Sequence, residues 1–260
     1  MPDLLHSMTA VAPTAARALG LRDPAQATSR PIQAVLADLE GSARLAIVAP
    51  DALGQASLEH FASEMPFLSS MHAGRHLVLR SVMPSMTPVN FATMVTGCEL
   101  EIHGVSAKER PVECETLFDV LAEAGMRGAG CGRPGYTGSD LLARIAQIDG
   151  TAALSDDAAI EEAVLRIARD ERPEFLIAQL GATDDHFHRF GPYSERMIPK
   201  LRETDCRLER MTAALTERGY ALMVLSDHGQ HESGDAAKMG THGSDCDEDC
   251  LVPLTWRAPV

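Results

Sequence analysis

The sequence predicts an α/β fold, a mostly parallel central sheet with helices on both faces, and two observations carry that prediction. Short apolar runs alternate with amphipathic stretches along the 260 residues, the pattern of βαβ units whose strands are buried on both sides. Polar residues of catalytic type follow the ends of four of these runs, and the carboxyl edge of an open α/β sheet is where ligands bind. No shift in composition marks a boundary, so residues 1–260 are expected to form a single domain.

In chain order, residues 1–40 carry alanine-rich, helix-like segments that find no place in this pattern. The strand runs are residues 43–49, 76–82, 174–180 and 220–226, with weaker ones at 127–131 and 252–256. Cys114, Leu117, Leu121 and Ala124 recur at helical spacing and stop at Gly125, a residue type favoured just past a helix end. Asp156 or Ser155 is suited to cap the next helix, whose Ile160, Val164 and Ile167 share a face. Leu201, Leu208, Met211 and Leu215 form a third helical stripe, ended by Gly219.

The formal net charge of −14 argues against nucleic acid and anionic lipid as partners, because both demand clustered Lys and Arg. An anionic substrate would need a local cationic site, which bound metal ions supply. The first twenty residues lack the basic start and apolar run of a signal peptide, and the longest apolar runs are far too short to span a bilayer. A cytoplasmic location without membrane association is expected. Six cysteines without C-x₂-C spacing read as reduced thiols; Cys246 and Cys250, flanking Asp247-Glu248-Asp249, read as part of a solvated loop.

Asp51, Asp184, His188, Asp227, His228 and His242 supply the six ligands of mixed type that two divalent ions sharing a phosphate require. Imidazole with carboxylate suits Zn²⁺, with Mn²⁺ or Fe²⁺ as the other fits. Three carboxylates against two dications leave a net charge of about +1, enough to hold an anion. Asp184 and His188 are spaced for one helix face, but Phe190-Gly191-Pro192 favours a loop. Asp185, His186 and His231 are alternative ligands if the register slips. Thr87 follows a strand run and precedes Pro88, so it is expected as a helix N-cap with Pro88 first in the helix. From local sequence alone it is equally a cap and a hydroxyl nucleophile favoured by the helix dipole.

Taken together, these segments resemble the alkaline phosphatase superfamily, and most its nucleotide pyrophosphatase/phosphodiesterase branch. Thr87-Pro88-Val89-Asn90, Thr96-Gly97 and His103-Gly104-Val105 are similar to its T-x-x-N…TG…HG[IV] block. The stretch from Asp184 to Pro192 resembles D-x-x-x-H-x-[FY]-G-P, Ser226-Asp227-His228-Gly229 resembles S-D-H-G, and His242-Gly243 resembles the last ligand block. The resemblance runs from Asp51 to about Leu254 and implies an alkaline phosphatase-like three-layer sandwich. It implies one zinc held by Asp184, His188 and His242, and another by Asp51, Asp227 and His228 beside the nucleophile Thr87. The implied reaction is in-line attack by Thr87 on a small phosphorylated substrate, a nucleotide among the candidates, through a phosphothreonine.

Asn90 and Lys108 are expected to bind substrate. Lys108 stands where the branch has an asparagine that donates to a non-bridging oxygen, and its added charge suits a dianionic monoester better than a diester. Only thirteen residues separate His228 from His242, where larger relatives insert a cap, so the site is expected to be open or closed by residues 1–40 or a partner subunit. A homo-oligomer is left open. The expected function is a phosphodiesterase or nucleotide pyrophosphatase, with a monoesterase or phosphonate hydrolase using the same site as the alternative. A phosphomutase and a non-catalytic metal-binding protein stay in view. A sulfatase does not, since no C-x-P-x-R or S-x-P-x-R signature occurs.

Overall fold

A computed structural model describes residues 5–235 and 237–259. Ten strands form its sheets: β1 (His6–Ser7), β2 (Leu45–Pro50), β3 (His76–Arg80), β4 (Gly128–Gly132), β5 (Ile148–Thr151), β6 (Phe175–Leu180), β7 (Ala221–Leu225), β8 (His231–Asp235), β9 (Lys238–Thr241) and β10 (Leu251–Arg257). Eight of them make one sheet in the order β1-β3-β10-β7-β2-β6-β4-β5, and β8 with β9 forms a separate hairpin. Every pairing in the large sheet is parallel except those of β10, which runs antiparallel to both β3 and β7. The mixed α/β class with a mostly parallel sheet is therefore the observed one.

The central strands are apolar throughout because both of their faces are covered. All residues of β2, β6 and β7 are buried. Ile47, Ile177 and Met223 pack on one face with Phe91, Val95 and Phe118, whereas Val48, Leu176 and Val224 pack on the other with Leu201, Leu208 and Met211. The helix Asp157–Asp170 is capped by the Asp156 side chain, which accepts from Ala159 N. The helix Leu117–Glu123 starts with a reciprocal box between Thr116 and Asp119.

Three expectations are corrected. The N-terminal segment is a core layer: Met8, Val11, Ala15, Ile32, Val35 and Leu39 are buried in the first of the two cores. Its helix Val11–Ala18 packs against the helix Thr87–Thr96, so it is no lid over the site. A side chain at Gly97, whose φ is +73°, would sit 2.9 Å from Ala27 Cβ, which is why the Thr96-Gly97 pair suits this contact. Second, Asp184 and His188 lie on a helix, Ala182–Phe190. The Gly191-Pro192 signal ends that helix, with Gly191 at φ +88°, instead of preventing it. Third, Thr87 is the first helical residue; the cap position falls to Met86, and no side chain caps the helix. The β8–β9 hairpin lies between His228 and His242.

Candidate metal centre

Strand order places the site. β2 lies between β6 and β7, so Asp51, Asp184 and Asp227, each just beyond one of these strands, meet at a common edge. The helix carrying Asp184 is fastened to β2, because Thr183 Oγ1 donates to the Asp51 carbonyl over 2.6 Å. Thr87 arrives from β3, whose exit is held by Ser81 Oγ donating to the Asp227 carbonyl at 2.6 Å.

Donor atoms of Asp51, Asp227 and His228 lie within 4.8 Å of one another, and so do those of Asp184, His228 and His242. His188 Nε2 joins the second group at 3.3 Å from Asp184 Oδ1, and His242 Nε2 stands 3.8 Å from the same oxygen. All six expected ligands are thus brought together, with the rings of His228 and His242 stacked at 3.9 Å between centroids. Thr87 Oγ1 lies 3.0 Å from His228 Nε2 and 3.5 Å from Asp51 Oδ1.

The three imidazoles are set up alike. Nδ1 of His188, His228 and His242 faces the carbonyls of Gly240, Gly229 and Ser85 at 2.8, 2.9 and 3.0 Å. A carbonyl only accepts, so Nδ1 carries the proton and each Nε2 presents its lone pair to the centre, as a metal ligand must. The carboxylates are braced too: Gln179 Nε2 donates to Asp51 Oδ2 at 2.5 Å, and Gln230 Nε2 to Asp184 Oδ1 at 2.6 Å. Asp227 Oδ1 accepts from Ala52 N at 3.1 Å. Ala52 holds that amide in place at φ +60°, a left-handed conformation that a non-glycine residue adopts where the surroundings demand it.

The electrostatics call for cations. Asp227 is fully buried and its Oδ2 has no hydrogen-bond partner, and a buried unpaired carboxylate oxygen is costly. Burial, reinforced by the charges of Asp227 and Asp184, pushes the Asp51 carboxyl well above the usual range. Burial likewise raises Asp184, against the pull of His228 and His188. Burial and the neighbouring His228 hold the His242 imidazole down to about 2, so it stays neutral. Three crowded carboxylates, three imidazoles and one orphaned oxygen fit divalent cations of the Zn²⁺ type.

The alternative ligands are occupied elsewhere. Asp185 pairs with Arg133 at 2.8 Å and with the Tyr136 hydroxyl, and His186 Nδ1 faces the Ala182 carbonyl at 2.8 Å. His231 faces Asp249 at 2.8 Å. Asn90 is a correction: its fully buried amide accepts from Val82 N at 2.7 Å and donates to the carbonyls of Val82 and Met86. It therefore shapes the strand exit before Thr87 and has no group left for a substrate. The Lys108 ammonium is engaged by the Gly135 carbonyl and by Asp140 at 3.3 Å, which offsets the extra charge expected there. Sequence reasoning missed Gln179, Gln230, Thr183 and Ser85, which are common polar residues outside the motif positions. Only Gln179 left a signal, as the lone amide within the apolar strand β6.

Beside the end of the helix that carries His188 lies a pocket of about 460 Å³, bounded by Phe190, Tyr193, Glu232, Asp235 and Met239. Among the described residues no helix is long and apolar enough to cross a membrane.

The family model for type I phosphodiesterase / nucleotide pyrophosphatase matches residues 45–111 and 133–243. Human ectonucleotide pyrophosphatase/phosphodiesterase family member 1 is 26% identical over 187 residues, covering 62% of this chain and 20% of its own. The venom phosphodiesterase of Naja atra is 27% identical over 202 residues, 66% of this chain and 24% of its own. The chain spans a quarter or less of the length of these curated relatives. Among solved structures, an inactive murine ectonucleotide pyrophosphatase/phosphodiesterase 5 in complex with AMP superposes with a TM-score of 0.67 at 14% identity, over 83% of this chain and 88% of that one. Phosphonoacetate hydrolase from Sinorhizobium meliloti 1021, in complex with phosphonoacetate, gives 0.58 at 20% identity, over 76% and 59%.

Proposed function

The chain belongs to the type I phosphodiesterase/nucleotide pyrophosphatase family, and from that premise we propose that it is a two-metal phosphodiesterase acting through a phosphothreonine on Thr87. The observation that carries this reading is the Thr87 hydroxyl. It begins a helix yet caps nothing, and it sits 3.0 Å from His228 Nε2 inside the ring of ligands. A threonine serving only as a cap would turn its oxygen toward the helix amides.

Asp51, Asp227 and His228 would hold the ion beside Thr87, and Asp184, His188 and His242 the other. When bound, two divalent ions, Zn²⁺ by the donor set, supply the positive charge that lowers a hydroxyl pKa and neutralises a leaving oxygen. Thr87 Oγ1 then forms a bond to phosphorus as the ester oxygen departs, and water later splits the phosphothreonine to restore the hydroxyl. The helix starting at Thr87 directs its positive end at the phosphoryl group. Asn90 fixes the backbone that presents Thr87, and the Nδ1 bonds hold each imidazole in one tautomer.

A diester is favoured over a monoester because Lys108 is already paired with Asp140, which offsets the charge that would suit a dianion. The likeness to phosphonoacetate hydrolase makes a phosphonate the second substrate class to try. The test is to compare initial rates of the zinc-loaded protein on a nitrophenyl phosphodiester, the matching monoester and phosphonoacetate. A faster diester supports the reading, a faster monoester makes the protein a phosphatase on this frame, and turnover of phosphonoacetate alone makes it a phosphonate hydrolase. Turnover of none of the three would refute the hydrolase reading.

A further inference from the structure

Three residues beyond His228 the chain places a second constellation. His231 Nδ1 lies 2.8 Å from Asp249 Oδ1 and 3.9 Å from Cys246 Sγ. One donor atom from each of the three lies within 4.8 Å of the others. Asp247 and Glu248 are exposed as the composition suggests, but Asp249 is fully buried and the run forms a short helix, Asp247–Cys250, in place of a loop. We propose that His231, Cys246 and Asp249 form a further metal site, for a cation of the Zn²⁺ type, separate from the Asp/His centre and bracing it.

Thiolate, imidazole and carboxylate are all zinc ligands, and the thiolate separates this set from the hard, all-oxygen sites of Mg²⁺ and Ca²⁺. One thiolate and one carboxylate balance a dication. Bonds of about 2.0–2.3 Å at tetrahedral angles place neighbouring donors about 3.3–3.8 Å apart. The sulfur-to-imidazole distance of 3.9 Å lies just outside that range and needs only a small closure on binding. The contact of 2.8 Å between imidazole and carboxylate, now bridged by a proton, opens by about half an ångström once a cation replaces that proton. Burial first, then the acidic neighbours Asp249 and Glu248, keep the Cys246 thiol protonated, and a bound cation reverses that preference. The fourth position falls to water or to Glu248, two residues along the chain from the thiol.

Position gives the site its role. The Asp249 carbonyl accepts from Gly229 N at 2.8 Å, and its Oδ2 from Ser244 N at 2.9 Å. Gly229 follows His228, and Ser244 is two residues past His242. A cation fixing Asp249 therefore fixes both histidine-bearing segments. They already meet closely, since a Cβ on Gly229 would lie 2.0 Å from the Glu248 carbonyl.

The experiment measures metal content per chain after zinc saturation and desalting, together with the near-ultraviolet spectrum of the cobalt form, for wild type, Cys246→Ser and His231→Gln. Cys246 and His231 are partly exposed, so both variants are expected to fold. We expect each variant to hold one equivalent of zinc less than wild type. The thiolate-to-cobalt charge-transfer band of wild type should vanish in Cys246→Ser; the Asp/His centre has no cysteine and contributes nothing to it. Equal zinc content in all three proteins, or a cobalt wild type with no thiolate band, overturns the proposal whatever the outcome on phosphorus esters.

Discussion

Gln179 donates through Nε2 to Asp51 Oδ2 across 2.5 Å, from within β6 to the residue that follows β2, while its Oε1 accepts from Gly138 N at 2.6 Å. One amide thus orients the carboxylate of a proposed metal ligand and satisfies a buried peptide. Gln179→Leu leaves that peptide unpaired, which is expected to lower stability by about 1–3 kcal/mol. It should also weaken metal binding about 10–100-fold, the usual effect of losing a group that orients a ligand. Urea unfolding of the chelated protein and a metal titration measure the two effects separately; unchanged affinity would remove Gln179 from the positioning role.

Thr87→Ala should reduce phosphodiester turnover by about 10⁴-fold or more and leave the metal content at the wild-type value. Thr87→Ser, which keeps a hydroxyl, should retain a measurable fraction. Steady-state rates with parallel metal analysis distinguish these, and an active alanine variant would end the nucleophile assignment.

Asn90→Leu removes the acceptor of Val82 N from a fully buried site. The expected outcome is a loss of about 1–3 kcal/mol in stability and a lower kcat with little change in KM. A raised KM without loss of stability would return Asn90 to substrate binding.

His103 supplies a pH dependence remote from the proposed ligands. Its Nδ1 accepts from Val105 N at 3.1 Å, so its proton sits on Nε2, facing Thr93 Oγ1 at 3.3 Å. Burial lowers its pKa to about 4, against an ordinary value of about 6.5. A histidine kept neutral in the fold contributes stability that is fully present above the unfolded pKa and is lost as pH falls toward the folded one. His103→Asn keeps an acceptor but cannot titrate. Its stability should therefore fall less steeply than that of wild type between about pH 6.5 and 4, read from urea midpoints at fixed salt.

The parts of this molecule that were legible in the sequence are those where one physical demand dominates. β2, β6 and β7 are buried on both faces, so their residues are uniformly apolar. That the six proposed ligands would meet was legible because five of them follow predicted strands, on the edge where open α/β sheets bind ligands, and the motif resemblance adds His242. The β8–β9 hairpin was not, since its residues are mostly exposed and polar and no alternation marks them. β1, two residues long, offers no period to detect. The helix bearing Asp184 was obscured because stop signals say where a helix ends without saying that one precedes them. Asn90 was misread because family position says a residue matters, while only coordinates say that its amide points at Val82 and Met86.

The antiparallel strand β10 has a consequence for the order in which the molecule is made. β3 reaches the rest of the large sheet only through β10, and β10 follows every residue of the site in the chain. During synthesis, β2, β6 and β7 are free to pair first and bring Asp51, Asp184 and Asp227 together. Until β10 has left the ribosome, β3 can pair only with β1, so the sheet does not yet join the segment carrying Thr87 to β2, β6 and β7. The sheet thus joins the proposed nucleophile to its proposed ligands last, after the strands that carry the three carboxylates have been able to meet.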